Sequence, residues 1–338
     1  MTRVAVILRH GDRTARTSFP TDPHPVSPSE AAVLTDEGRQ RIRRFSRFLS
    51  DRYACLLSRD PTILVQSSSQ NRCRETAALL VSEMTAAPCD PSLIQERDKM
   101  LFNVYPNCSA ANRWQEQLYR GSTARAVLSR DAESLQQLQR LTGLPGPLDL
   151  EDAHDVWDVL RAHEAQGEST PAWAADPFLR SRLDRLNSGF FCLASADDRL
   201  RRLFTRLLLS DLKQRLRGSG KDSPDLLIYS SNDFLLQRLL WLLGSKRKRQ
   251  SPPFASAIVI EVTEEAGVSV SFIETGDSDG QQAIERLSFP SCVGQSDCSL
   301  DAAFADVDSF SEDDFDRECE SEPETADLEA APLLSECL

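Results

Sequence analysis

Apolar residues fall along this chain in short runs and helical stripes that repeat a strand-then-helix order near both ends. Arg3–Leu8 is a brief run rich in Val, Ile and Leu, the length of a buried strand, and it ends in polar residues. The loop that follows, from Arg9 to about Ser29, carries Gly11 and four prolines. Leu34-Thr-Asp-Glu-Gly38 then opens a helix predicted to reach Tyr53, with Thr35 as N-cap and Ile42, Phe45, Phe48 and Leu49 on one face. Thr62–Gln66 reads as a second buried strand, and its polar end, Ser67 to Arg72, leads into a helix over Cys73–Met84. Between residues 88 and 195 no strong strand pattern appears; helical segments surround Asn112–Tyr119, Ala132–Leu141 and Leu150–Ala165. The strand and helix order then resumes with a helix over Ala196–Leu216, a strand over Leu226–Tyr229 and a helix over Phe234–Leu243. Ala257–Val262 and Val268–Ile273 pattern as an antiparallel hairpin.

These elements predict an α/β protein: a central mixed β-sheet flanked by helices, carrying an inserted, mostly α-helical domain. The expected divisions are an α/β core over residues 1–87 and 196–292, a helical insert over 88–195 and an acidic C-terminal tail over 293–338. Hydrophobic residues make up 40% and charged residues 27% of the 338, which is ordinary for a globular protein.

Charge changes the picture only once it is located. The formal net charge is −13, but 15 of the 52 acidic residues and one of the 39 basic ones lie from Val293 onward. The remaining 292 residues hold 37 acidic and 38 basic side chains, so the body is neutral and the acidity belongs to the tail. The last forty or so residues, acidic and Ser-rich, are expected to be mostly disordered. No nucleic-acid partner is expected, and no apolar run approaches the length of a transmembrane segment. Nine cysteines permit either free thiols in a reducing compartment or an oxidised protein with one cysteine left over.

The opening strand delivers Arg9-His10-Gly11-Asp12-Arg13-Thr14 into its loop. In α/β sheets ligands bind at the carboxyl ends of strands. Two guanidinium groups flanking an imidazole suit a phosphate monoester: arginine holds phosphate oxygens bidentately, and a neutral imidazole can attack phosphorus. Gly11 would let the backbone approach the ligand. Taken alone, the same six residues also read as a basic turn bearing a surface histidine. His24, His154 and His163 read as surface or packing residues.

Arg-His-Gly-x-Arg is the signature of the histidine phosphatases, and the chain resembles their acid phosphatase branch in order. Leu34-Thr-Asp-Glu-Gly38 through Arg52-Tyr53 is similar to that family's "LT-x-x-G" helix ending in "RY". Ser68 through Arg72 resembles the turn that presents a further phosphate-binding arginine. Val156-Trp-Asp-Val-Leu160 with Pro171-Ala-Trp173 resembles its "vyDtL…PaW" stretch. Leu226 to Asp233 stands where the family has "YSaHD", and Pro252-Pro-Phe-Ala-Ser256 with Glu261 resembles "PPYAS…fEL". The resemblance covers residues 3 to about 319. It implies the histidine phosphatase fold and a phosphomonoesterase that forms a phosphohistidine on His10. Arg9, Arg13 and Arg72 would hold the phosphoryl group, and Asp233 would protonate the leaving alcohol. It implies no metal and no cofactor, a small-molecule or phosphorylated substrate, and it allows a homodimer. The Arg-His-Gly opening is shared with phosphoglycerate-mutase-like transferases, against which the stretches at Trp157, Ser231–Asp233 and Pro252–Ser256 count.

The pattern breaks at Asn232, where the family's distal histidine is expected; asparagine can donate a hydrogen bond but cannot carry a protonic charge. Losing charge assistance on one hydrogen bond costs about 1.5–3 kcal/mol, roughly 10- to 150-fold in rate. Impaired catalysis is therefore expected, and the alternative is an inactive pseudophosphatase that binds phosphate esters or a protein partner. Ala15 stands where proline is usual. The resemblance pairs Cys108 with Cys319 and Cys292 with Cys298, tying the first part of the tail, and leaves Cys55, Cys73, Cys89, Cys192 and Cys337 as free thiols. It implies a secreted or lysosomal protein. With no signal peptide before the first strand, the sequence is expected to lack its N-terminus, and a cytoplasmic protein is the alternative.

Overall fold

The computed structural model describes residues 3–102, 108–218, 223–263, 265, 267–276, 282–295, 297–321 and 337. At its centre is a mixed sheet of β1 (Arg3–Arg9), β2 (Ile63–Ser67), β3 (Ile94–Glu96), β4 (Leu226–Ser231), β5 (Ala257–Val262), β6 (Val268–Thr275) and β7 (Gln282–Leu287). The strand order is β3-β2-β4-β1-β5-β6-β7. β3, β2, β4 and β1 run parallel, whereas β5, β6 and β7 pair antiparallel. The seven strands thus include the predicted hairpin, β5–β6, and two strands that the sequence pattern did not show. Both of those are edge strands: β3 has three residues, and β7 buries only Leu287, so neither has an apolar run or a clean alternation.

Alternate side chains of a strand face opposite sides. Val4, Val6 and Leu8 therefore pack against the helices Asp36–Arg52 and Asn71–Thr85, through Ile42, Phe45, Ala77 and Leu80. Ala5 and Ile7 face the other layer, where the helices Asp198–Arg217 and Asp233–Leu242 supply Leu208, Leu212, Leu236 and Leu240. Both faces of β1 are covered, and that is why it reads as an unbroken apolar run.

A third core joins the helices Ser122–Arg130, Ala132–Thr142, Leu150–Ala165 and Pro177–Ala196. Ala15 and Phe19, from the loop after β1, are buried in it, so this loop is gripped between the sheet and the helices. The Pro177–Ala196 helix escapes a periodicity reading because almost every residue from Leu186 onward is buried, leaving no polar face.

The expectation of a mostly disordered tail is corrected as far as Ser321. Helices form at Leu300–Ala303 and Glu312–Glu320, and Phe304, Phe310, Phe315 and Cys319 enter the sheet's core. The acidic residues meet basic ones on the body: Glu312 with Arg97, Asp316 with Lys99, Glu318 with Arg206 and Asp301 with Arg217. A few phenylalanines and matched charges order a segment whose average composition suggested none. The rest of that expectation, residues 322–336 and 338, lies outside the described residues.

Disulfides join Cys108 to Cys319, Cys292 to Cys298 and Cys192 to Cys337. The third corrects the reading of Cys192 and Cys337 as free thiols. Its partners are 145 residues apart, and only the folded chain shows that the two meet. Cys55, Cys73 and Cys89 are free.

Candidate active site

Three neighbouring parallel strands, β2, β4 and β1, end at one edge of the sheet, with Arg9 in register with Ser231 and Ser67 with Ser230. The residues just past those ends are therefore neighbours in space: Arg9, His10 and Arg13 after β1, Arg72 after β2, Asn232 and Asp233 after β4. The backbone stitches them together. His10 N donates to Ser231 O at 3.1 Å, Ala255 N donates to His10 O at 3.0 Å, and Arg9 N donates to Ser256 O at 2.9 Å. The Pro252–Ser256 stretch thus buttresses the β1 loop.

Beneath the loop, the helix Asp36–Arg52 comes unusually close. Thr35 caps it, accepting from Gly38 N at 3.1 Å through its hydroxyl and donating its own N–H to Asp12 O at 2.9 Å. A Cβ on Gly38 would lie 2.1 Å from Asp12 O, so only glycine permits this approach. Arg41 Nε binds the buried Asp12 carboxylate at 2.7 Å and anchors the loop from below.

His10 is buried, and its Nδ1 lies 2.8 Å from the Gly11 carbonyl. A carbonyl only accepts, so Nδ1 carries the proton and Nε2 presents a lone pair. Burial pushes the imidazole pKa well below its usual value, and Arg72, Arg9 and Arg13 push it further.

The arginines differ in how they are held. Arg9 donates to Pro252 O, pairs with Asp233 Oδ2 at 2.6 Å and lies 4.2 Å from the Phe254 ring centroid. Arg13 binds both oxygens of Asp158, at 2.8 and 3.0 Å, and Thr14 O at 3.0 Å. Arg72 has no hydrogen bond or ion pair among the described residues, and burial lowers its pKa to about 10. The Nε atoms of Arg9, Arg13 and Arg72 are all buried without a partner among the described residues. Unmet charged donors concentrated in this way favour an anion strongly.

Asn232 is the N-cap of the helix Asp233–Leu242, its Oδ1 accepting from Leu235 N at 3.3 Å. Asparagine is among the best N-cap residues, and this use of the oxygen leaves the NH2 as its donor. Burial would raise the pKa of Asp233, but Arg9 and Arg13 outweigh it and hold the carboxyl below the ordinary carboxylate range.

A cavity of about 290 Å³ is lined by His10, Arg13, Arg16, Arg72, Phe102, His154, Asn232, Asp233 and Phe234. A larger cleft of about 1000 Å³ touches Arg9, Asp158 and Phe254 but not His10. The arginines around it are matched: Arg41 with Asp12, Arg44 with Glu37, and Arg161 and Arg180 with Glu164. The smaller cavity, where Arg72 has no partner among the described residues, is the candidate site.

Three residues in or beside this cavity were not singled out by their chemistry in the sequence. Asp158 lies inside the Trp157 motif and is the buried partner of Arg13. Arg16 and His154 line the cavity, and His154 is also buried and stacked on Phe190, in keeping with its reading as a packing residue. Other motif residues form scaffold: Glu261 accepts from Tyr53 Oη at 2.8 Å, Arg52 Nε at 3.0 Å and Ser269 Oγ at 2.9 Å.

Comparison with known proteins bears on the family and the fold. Rat (Rattus norvegicus) lysosomal acid phosphatase is 24% identical over 357 aligned positions, covering 99% of this chain and 84% of that protein. Human (Homo sapiens) testicular acid phosphatase is 28% identical over 327 positions, covering 86% and 75%. Among solved structures, a phytase of Hafnia alvei shares the fold at a TM-score of 0.69 and 17% identity, covering 91% of this chain and 96% of its own. The sequence profile of the histidine phosphatase superfamily (branch 2) matches residues 1–284, and by that match the chain, a distant homologue of the lysosomal, testicular and prostatic acid phosphatases, belongs to this superfamily.

Proposed function

We propose that this protein is a phosphomonoesterase that works through a phosphohistidine on His10. The observation that carries this reading is a neutral, buried imidazole whose Nε2 has no hydrogen-bond partner among the described residues, beside an arginine with no carboxylate partner among them. Arg9, Arg13 and Arg72 hold the phosphoryl oxygens. Nε2 attacks phosphorus, the ester P–O bond breaks, and Asp233 protonates the departing alkoxide. Water then attacks the phosphohistidine, Asp233 takes its proton, and the P–N bond breaks to release inorganic phosphate and His10.

Asp233 is paired with Arg9 in the free protein, so it must acquire its proton with the substrate. A phosphate monoester has its second pKa near about 6 and enters as a monoanion in acid. The guanidinium groups draw out its second ionisation, and the proton passes to Asp233 as the phosphate takes over Arg9. That sequence predicts an acidic optimum. Residues 1–87 and 196–292 serve as the catalytic core, 88–195 as a cap that completes the cavity through His154, and 293–338 as a tail. Three disulfides and the lysosomal acid phosphatases among the homologues support work in an oxidising compartment, secreted or lysosomal.

One observation favours a second reading, the pseudophosphatase: Asn232 spends its oxygen on a helix cap and brings no charge. Hydrolysis of an aryl phosphate at about pH 5 by wild type, His10→Ala and Asn232→His separates the two. The enzyme reading expects wild-type turnover that His10→Ala abolishes, and any gain in Asn232→His measures what the distal histidine would add. A folded but silent wild type would leave the pseudophosphatase.

A further inference from the structure

Arg16 lines the same cavity as His10, Arg13 and Arg72, and it is held from three directions. Its Nε reaches Asp158 Oδ2 at 3.4 Å, and its Nη2 donates to Asp155 Oδ1 at 2.8 Å and to His154 Nε2 at 3.2 Å. The histidine contact has a defined sense. His154 Nδ1 lies 2.8 Å from Asn187 Oδ1, which only accepts, so Nδ1 carries the proton and Nε2 receives the guanidinium. His154 is buried and stacked on Phe190, with ring centroids 4.4 Å apart, so the imidazole is a fixed support. Burial also lowers its pKa, which keeps it neutral and able to accept. The Arg16 side chain is 38% exposed, and its Nη1 has no hydrogen-bond partner among the described residues. A guanidinium anchored through two nitrogens with the third open is arranged to bind an anion.

We propose that Arg16, seated by His154, is a further phosphate-binding residue that supplies the cationic contact Asn232 lacks. This inference rests on the phosphatase reading of the site. His154 acts as a positioning residue, because it reaches the phosphate through Arg16. The substitution changes the pH response as well as the contact. An imidazolium at 232 would lose its proton near neutrality, whereas guanidinium stays charged, so phosphate binding extends above pH 7.

The test is calorimetric titration of the full chain with inorganic phosphate at pH 5 and pH 8. Wild type is compared with Arg16→Ala, Arg16→Lys, Arg13→Ala, His154→Phe and the double variant Arg16→Ala/Asn232→His, each first checked for cooperative thermal unfolding. Arg16→Ala is expected to weaken phosphate binding roughly 10- to 150-fold at both pH values. Arg16→Lys is expected to weaken it less, and His154→Phe up to about tenfold, since the anchored guanidinium loses one of its holders. The double variant decides between binding and scaffolding. Its new imidazole would face Arg13, Arg72, Asp233, His10 and His154 across the cavity. It should restore affinity at pH 5, where it is charged, and not at pH 8. A structural role for Arg16 would give no such pH-dependent rescue. The inference is overturned if Arg16→Ala binds like wild type while Arg13→Ala does not, or if the double variant shows no rescue. If wild type itself fails to bind phosphate, the phosphatase reading falls and this inference with it.

Discussion

Asp158→Asn isolates the buried electrostatics of the site. The Asp158 and Arg13 side chains are each 3% exposed and share two bonds, at 2.8 and 3.0 Å, while Arg16 touches the same carboxylate at 3.4 Å. Burial would raise the Asp158 pKa, but Arg13 and Arg16 overcome it and hold the carboxyl far below its ordinary range. Asparagine keeps the shape and one acceptor, and removes the charge that balances two guanidinium groups. Breaking a buried ion pair from one side costs about 3–5 kcal/mol. The hydrogen bond that asparagine retains and the partial exposure of Arg16 place the expectation at the lower end, about 3 kcal/mol. Against a total stability of about 5–15 kcal/mol, the variant should fold and unfold early. Phosphate at about 100 times its dissociation constant stabilises a binding-competent protein by about 2.7 kcal/mol. Because Asp158 competes with the ligand for Arg13, Asp158→Asn should bind phosphate at least as tightly as wild type and gain no less from it. Urea denaturation followed by circular dichroism, with and without phosphate, measures both effects. A loss of less than about 1 kcal/mol would refute the claim that the pair carries buried charge energy. A phosphate gain smaller than wild type's would refute the claim that carboxylate and ligand compete.

Gly38→Ala should cost about 1–3 kcal/mol by overpacking. It should also lower kcat/KM roughly 100-fold, because the loop bearing His10 and Arg13 moves when Asp12 O is displaced; wild-type kinetics in this variant would contradict the close approach. Glu261→Gln should lower stability by about 1–3 kcal/mol while leaving kcat/KM unchanged, since its partners Arg52, Tyr53 and Ser269 all belong to the scaffold. Acid should destabilise the free protein. The folded pKa of His10 lies below its unfolded value of 6.5, so unfolding takes up a proton, and the stability held above that pH is lost as pH falls beneath it. Thermal unfolding at pH 7.5 and pH 5 should therefore show a smaller acid-induced drop for His10→Asn than for wild type; equal drops would mean that His10 does not carry the linkage.

Much of the fold is legible in local chemistry. β1 can be read because both of its faces are buried, and the helix at Asp36–Arg52 because Thr35 caps an amphipathic stripe. The edge strands β3 and β7, the fully buried helix Pro177–Ala196 and the anchored tail lack that local signature. Their stability comes from partners remote in sequence. The site divides in the same way. Arg9, His10, Arg13, Arg72, Asn232 and Asp233 stand at strand ends, where the sequence pattern places them, and the parallel alignment of β2, β4 and β1 in the folded sheet makes them neighbours. Asn232 is visible in the sequence as a substitution, but its service as a helix cap is a hydrogen bond that exists only once the helix forms.

By itself, then, the sequence determined much of the strand-and-helix order and the residues of the loop that carries His10, because each depends on residues close together in the chain. Tertiary structure alone decided which carboxylate answers Arg13, which histidine supports Arg16 and which cysteine meets Cys192. Those partners lie 145, 138 and 145 residues away. The burial that makes such contacts strong is a property of the assembled core, and no short stretch of chain contains it.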